Sequence, residues 1–204
     1  SGAVAWGAME KAFYIYKSYR RELERDDSND TFKIDSKCVL KLSELFNSKE
    51  SEIRKSIWVY SLYEQLASNR FQADPKKFSL MEMAVSNSRL RKEYFQMDWT
   101  CAVTEKGLQR FNTLCLDDGC PINNPNDFRK FVTIFKSGQP DRLVELENRA
   151  FTLDEIHQRV ADNNESQQTY QQLENLLNGV KTLNLVGAKW NESEIEVASE
   201  LIDV

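Results

Sequence analysis

Apolar positions along this chain recur almost everywhere at steps of three and four, the period of an α-helix rather than the alternation of a strand. Trp6, Met9, Phe13, Tyr16 and Tyr19 mark a helix from Ala5 to Glu24, with Lys17, Arg20 and Arg21 near its C-terminal end, where positive charge favours the helix dipole. The polar run Arg25 to Asp30 reads as a solvated loop. Asp35-Ser36 caps the next helix, which presents Leu42, Leu45 and Phe46. After Asn47 the pattern restarts with Ile53, Ile57 and Tyr60, widened by Trp58, Leu62, Tyr63 and Leu66, and Ser48 is placed to cap this second helix.

Further on, Asn69 to Lys77 is a loop stopped by Asp74-Pro75, and Ser79 caps a helix through Leu80, Met83 and Ala84. Thr104 opens a helix bearing Leu108, Phe111 and Leu114, which Asp117-Asp118-Gly119 breaks. Asp127 to Lys136 is amphipathic, Gly138-Gln139-Pro140 ends it, and Asp141 to Arg149 begins the next helix. Thr152 and Glu155 form a capping box for a polar helix reaching Asn178, with Ile156, Val160, Tyr170, Leu173 and Leu176-Leu177 as its apolar positions. A short acidic helix is expected over Glu192 to Leu201. The predicted fold is all-α: a helical domain holding a helix-turn-helix at 1–98, then a helical, acidic C-terminal region at 99–204.

The run from Val39 to Trp58 carries the functional question. Asn47 enters the left-handed region at little cost, and Ser43 is small where two crossing helices approach. Two helices around such a corner fit a DNA-reading helix-turn-helix, and they equally fit any αα-hairpin of a bundle. The corner departs from the usual motif, having Asn47 and Ser48 where Gly and an apolar residue are common.

Charge changes the picture moderately. The chain is −5 overall, yet residues 1–110 hold 19 Lys/Arg against 16 Asp/Glu, and residues 111–204 hold 8 against 16. The slightly basic half contains the helix pair, which permits DNA binding without demanding it. Four cysteines form no CxxC pair and His157 is the single histidine, so no metal site is expected. Reduced thiols in a cytoplasm, no cofactor and no membrane span complete the expectation. No phosphate-cradling glycine loop, G-x-S-x-G or HExxH occurs, so no catalytic centre is expected; His157 is expected to be exposed. The aromatics Trp6, Phe13, Tyr14, Tyr16, Trp58, Tyr60 and Tyr63 read as core rather than as stacking platforms.

Three stretches together resemble one family. The corner continued through Val59-Tyr60-Ser61-Leu62-Tyr63-Glu64-Gln65-Leu66, the preceding helix Ala5 to Ala12, and Phe78 to Asn87 with Leu90-Arg91 are similar to the DNA-binding middle domain of ParB-like partition proteins. The resemblance covers roughly residues 5–96, and the insertion Glu24 to Lys33 departs from it. It implies duplex DNA binding by a homodimer in partition, regulation or defence against mobile DNA. It also implies an upstream nucleotide-binding or nuclease domain whose G-x-R-R box this chain lacks; the opening Ser-Gly reads as a tag scar, consistent with such a piece.

A helix-turn-helix reads bases with the start of its second helix and holds phosphate at the start of its first. On this sequence the groove-facing set is Lys49, Glu50, Ser51, Arg54 and Lys55, with Ser36 and Lys37 on phosphate. Glu50 and Glu52 weaken the electrostatics. The acidic C-terminal region suits self-association or a protein partner. The alternative function is therefore an all-α adaptor that binds protein and no DNA.

Overall fold

The computed structural model describes residues 7–25, 34–69, 71, 74–98 and 101–185. Among them the helices run α1 (Ala8–Arg25), α2 (Ser36–Leu45), α3 (Glu50–Ser68), α4 (Phe78–Ser86), α5 (Glu105–Phe111), α6 (Pro125–Lys136), α7 (Pro140–Glu147) and α8 (Leu153–Leu185). The fold is all-α: β structure among these residues is a single antiparallel bridge, Met97 to Val103. No described helix is long and apolar enough to cross a membrane. Trp6, the loop over 26–33 and the expected helix Glu192 to Leu201 lie outside the described residues.

The chain divides into two units, Ser1–His157 and Gln158–Val204. The expected division at 98/99 falls inside the first, because α6 packs on α4 and α7, and the Tyr94 phenol donates to Glu147 at 2.6 Å. In that unit α1 lies against both α2 and α3, enclosing Ile15, Tyr16, Tyr19, Val39, Leu42, Ile53 and Ile57. A second, aromatic core joins Tyr94 and Phe95 to Phe111, Phe131 and Phe135 through edge-on and tilted ring pairs. Such pairs add about 0.5–1.5 kcal/mol each beyond the area they bury.

Gln65 ties α3 to the loop before α5. Its amide donates to the Cys101 carbonyl at 2.7 Å and accepts from the Val103 N–H at 2.9 Å. That clamp holds Cys101 at φ 68, a conformation a non-glycine residue adopts only when its surroundings impose it. Nearby, the buried Arg91 guanidinium lies 3.4 Å from the Trp58 ring centroid and donates to the Val85 carbonyl at 2.8 Å. A desolvated cation–π contact is worth ~2 kcal/mol or more, which offsets part of the cost of burying the charge. Burial also holds the Arg91 guanidinium below its ordinary pKa.

Several caps fall where the sequence placed them. Asp35 accepts from the Lys37 N–H, Thr104 from Gly107, and Thr152 pairs reciprocally with Glu155. Others do not. Ser48 caps nothing: its hydroxyl donates to the Phe46 carbonyl, and the N-cap of α3 is Lys49, with no side-chain bond. Ser79 lies inside α4, because a 3-10 turn over Pro75–Lys77, capped by Asp74, feeds straight into that helix. α6 starts at Pro125 under an Asn124 cap and α7 starts at Pro140, each proline using a first-turn position that needs no N–H donor. Leu45, one of the apolar positions at helical spacing on α2, is 71% exposed. All four cysteines are unpaired thiols, Cys115 and Cys120 included.

Candidate nucleic-acid interface

The corner between α2 and α3 closes as a Schellman turn. The Ser48 N–H reaches the Ser43 carbonyl at 3.0 Å and the Asn47 N–H reaches Glu44 at 3.2 Å, with Asn47 at φ 46. Asn47 thus supplies the left-handed residue that glycine more often supplies. From α1, the Lys11 ammonium donates to the Ser48 hydroxyl at 2.9 Å, so the corner is held from outside as well. At the other end, the Asp35 N–H donates to the Tyr19 phenol at 3.3 Å, anchoring the start of α2 on α1.

These anchors bring the starts of α2 and α3 together. The Arg54 guanidinium donates to the Ser36 hydroxyl at 3.1 Å and lies 3.6 Å from the Glu50 carboxylate. Ser36, Glu50 and Arg54 therefore share one surface, with Lys37, Lys49 and Ser51 exposed beside them. Lys55 leaves the set: its ammonium pairs with Glu82 of α4 at 3.1 Å. One turn after Ser51, it points along the α4 side of α3 rather than out from the corner.

Two details alter the expected chemistry of the phosphate seat. The Asp35 carboxylate already occupies the Lys37 N–H at 2.6 Å, and Arg54 already occupies the Ser36 hydroxyl. A phosphate there meets the Lys37 ammonium rather than a bare helix terminus. Counting the whole surface, Lys37, Lys49 and Arg54 stand against Asp35, Glu50 and Glu52, so attraction for a polyanion is local and not a broad field.

Lys11, Asp35 and Glu82 are the members that sequence reasoning missed. Asp35 had a visible signal, since a capping carboxylate necessarily sits where a phosphate would. Lys11 and Glu82 act across 37 and 27 residues of sequence, and no local spacing points to them.

Elsewhere the chemistry is quiet. Burial pushes the Cys101 thiol up to about 12 and the Cys115 thiol well above its usual range, so neither is a nucleophile at neutral pH. His157, expected in solvent, is half-buried on α8. Among the described residues no group of His, Cys, Asp and Glu is placed to hold a metal ion. Comparison with known proteins finds no matching family model, curated protein or solved structure.

Proposed function

We propose that this chain binds duplex DNA through the surface where α2 and α3 begin, as the DNA-binding piece of a ParB-like homodimer. The observation that carries the reading is the Arg54–Ser36 hydrogen bond, which unites the two helix starts on one surface. A reader of the major groove needs that union, because one helix start positions on phosphate while the other meets base edges. Arg54 exchanges Glu50 for the O6 and N7 of a guanine, and Glu50 then accepts from a cytosine amine. Lys37 and Lys49 neutralise phosphate on either side.

The test is fluorescence anisotropy on a pool of random duplexes at 50 and 200 mM salt. Two phosphates neutralised per chain, four per homodimer, predict roughly a hundredfold loss of affinity across that range. Lys37→Ala with Lys49→Ala is expected to weaken binding and flatten that slope. Absence of duplex binding at the lower salt, by protein that melts normally, overturns the reading.

A second reading, an all-α module that binds protein and no DNA, is favoured by α8. There Tyr170, Leu173, Leu176 and Leu177 lie exposed at helical spacing. A contiguous apolar stripe of this kind marks an association surface.

A further inference from the structure

Away from the α2–α3 surface, α1 carries a second patch that the duplex reading does not use. Phe13, Lys17 and Arg20 form one line along the helix, and Tyr14, Lys17 and Arg21 the neighbouring one. Tyr14 is 48% exposed, and Lys17, Arg20 and Arg21 all reach solvent. With Tyr16 and Glu64 they line an open depression of about 560 Å³.

Aromatic faces continue from this depression onto α3. Ring centroids lie 5.2 Å apart for Phe13–Tyr14, 5.3 Å for Phe13–Tyr60 and 5.6 Å for Tyr60–Tyr63. The Lys17 ammonium sits 5.9 Å from the Phe13 ring centroid. Among the described residues Glu64 is the one acid lining the depression, and it already accepts from the Tyr16 phenol at 2.7 Å and faces Lys17 at 3.7 Å. Of the described lining, Arg20 and Arg21 remain as the excess charge.

We propose that this depression binds single-stranded nucleic acid, bases stacking on Tyr14 and Phe13 and phosphates meeting Arg20 and Arg21. Sites for single strands combine π-faces, which every base can use, with cations that follow the backbone. The scale fits: Tyr14 to Arg21 spans two helical turns, roughly 10 Å, which is about three nucleotides at a stacked rise of ~3.4 Å. Burial lifts the Tyr16 and Tyr60 phenols above their ordinary value, so neither ionises near a phosphate. A duplex keeps its bases stacked inside and offers this surface phosphates alone, which is why the single strand is the better ligand.

The test is anisotropy of the full chain on fluorescein-labelled dT16, dA16 and a 16-base-pair duplex at 50 mM salt. Both single strands are expected to bind. Tyr14→Ala should weaken them about tenfold while Tyr14→Phe restores them, and Arg20→Ala with Arg21→Ala should weaken them and flatten their salt dependence. Duplex binding should follow Lys37 and Lys49 and ignore Tyr14, so failure of either site is read separately. The proposal is overturned by single strands that do not bind, by binding indifferent to Tyr14 and the arginines, or by a Tyr14→Phe variant as weak as Tyr14→Ala. It is equally overturned if sedimentation velocity shows a Tyr14-dependent dimer and no oligonucleotide binding, because aromatic and Arg residues also anchor protein interfaces.

Discussion

Along α3, Ile53, Ile57, Leu62 and Leu66 are at most 2% exposed, whereas along the far half of α8 Tyr170, Leu173, Leu176 and Leu177 lie between 41% and 75%. Both helices repeat apolar residues at three- and four-residue steps. The difference is in neighbours: α1, α2 and α4 all pack on α3, and the α8 stripe is exposed among the described residues. Periodicity therefore specifies a helix and a face, and says nothing of what covers that face. Even α2 shows this at small scale, with Leu42 buried and Leu45 open three residues later.

Truncation is the most forceful way to break the comparison. Ile57→Ala empties a fully buried site at the meeting of α1 and α3, and is expected to cost about 2–5 kcal/mol in urea unfolding. Leu173→Ala is expected to change stability by less than ~0.5 kcal/mol, as for other exposed positions. If Leu173→Ala proves as costly as Ile57→Ala, and the midpoint rises with protein concentration, the α8 stripe is covered by a second copy in solution.

A second substitution asks whether burial alone sets the cost. A Cβ built on Gly107 would stand 1.8 Å from the Phe95 carbonyl oxygen, closer than any real contact. Gly107→Ala must push α5 away from the 95–97 backbone, so we expect a loss of about 1–3 kcal/mol or more despite an added methyl group. A melt unchanged by this substitution would mean that α5 shifts away from the Phe95 backbone at no cost.

Sequence alone carried the helices and their caps a long way, and it stopped where information ceased to be local. Asp35 and Thr152 were legible as caps because a cap and its N–H lie two or three residues apart. The left-handed corner at Asn47 was legible because few residues tolerate it. Ser48 and Ser79 misled because a serine before an apolar run is only a candidate, and competing geometry at Lys11 and Pro75 decided otherwise. The π-helical stretches Leu90–Tyr94 and Asn112–Leu116 had no signal, since one extra residue per turn arises from packing around them. Of the expected site, Ser36, Glu50 and Arg54 do meet, and Lys55 pairs with Glu82 of α4, a partner that no local spacing announces.

The caps sharpen the contrast between the two helices further. α8 begins with a reciprocal box in which the Thr152 N–H donates to Glu155 at 2.8 Å and Glu155 returns at 3.3 Å, whereas α3 begins with no side-chain bond at all. The start of α8 is packed as well, with Leu153 and Ile156 at most 6% exposed, so its box adds to packing, whereas the start of α3 is held by packing alone. Thr152→Ala is accordingly expected to cost about 1 kcal/mol in thermal unfolding, and Ser48→Ala only a few tenths. Equal losses at the two serine and threonine positions would remove this distinction.

The smallest effect is expected at the corner itself. Asn47 holds φ 46, where a Cβ is mildly strained and glycine is not, so Asn47→Gly relieves strain in the folded chain. The same change loosens the unfolded chain, which works against it. The two effects nearly cancel, and we expect the unfolding free energy to change by no more than about 0.5 kcal/mol in either direction. Asn47→Ala keeps the Cβ and loses the amide that eases this conformation, so it should sit below both. A larger loss in Asn47→Gly than in Asn47→Ala would show that the amide side chain, and not the backbone angle, is what holds α2 and α3 at their present crossing.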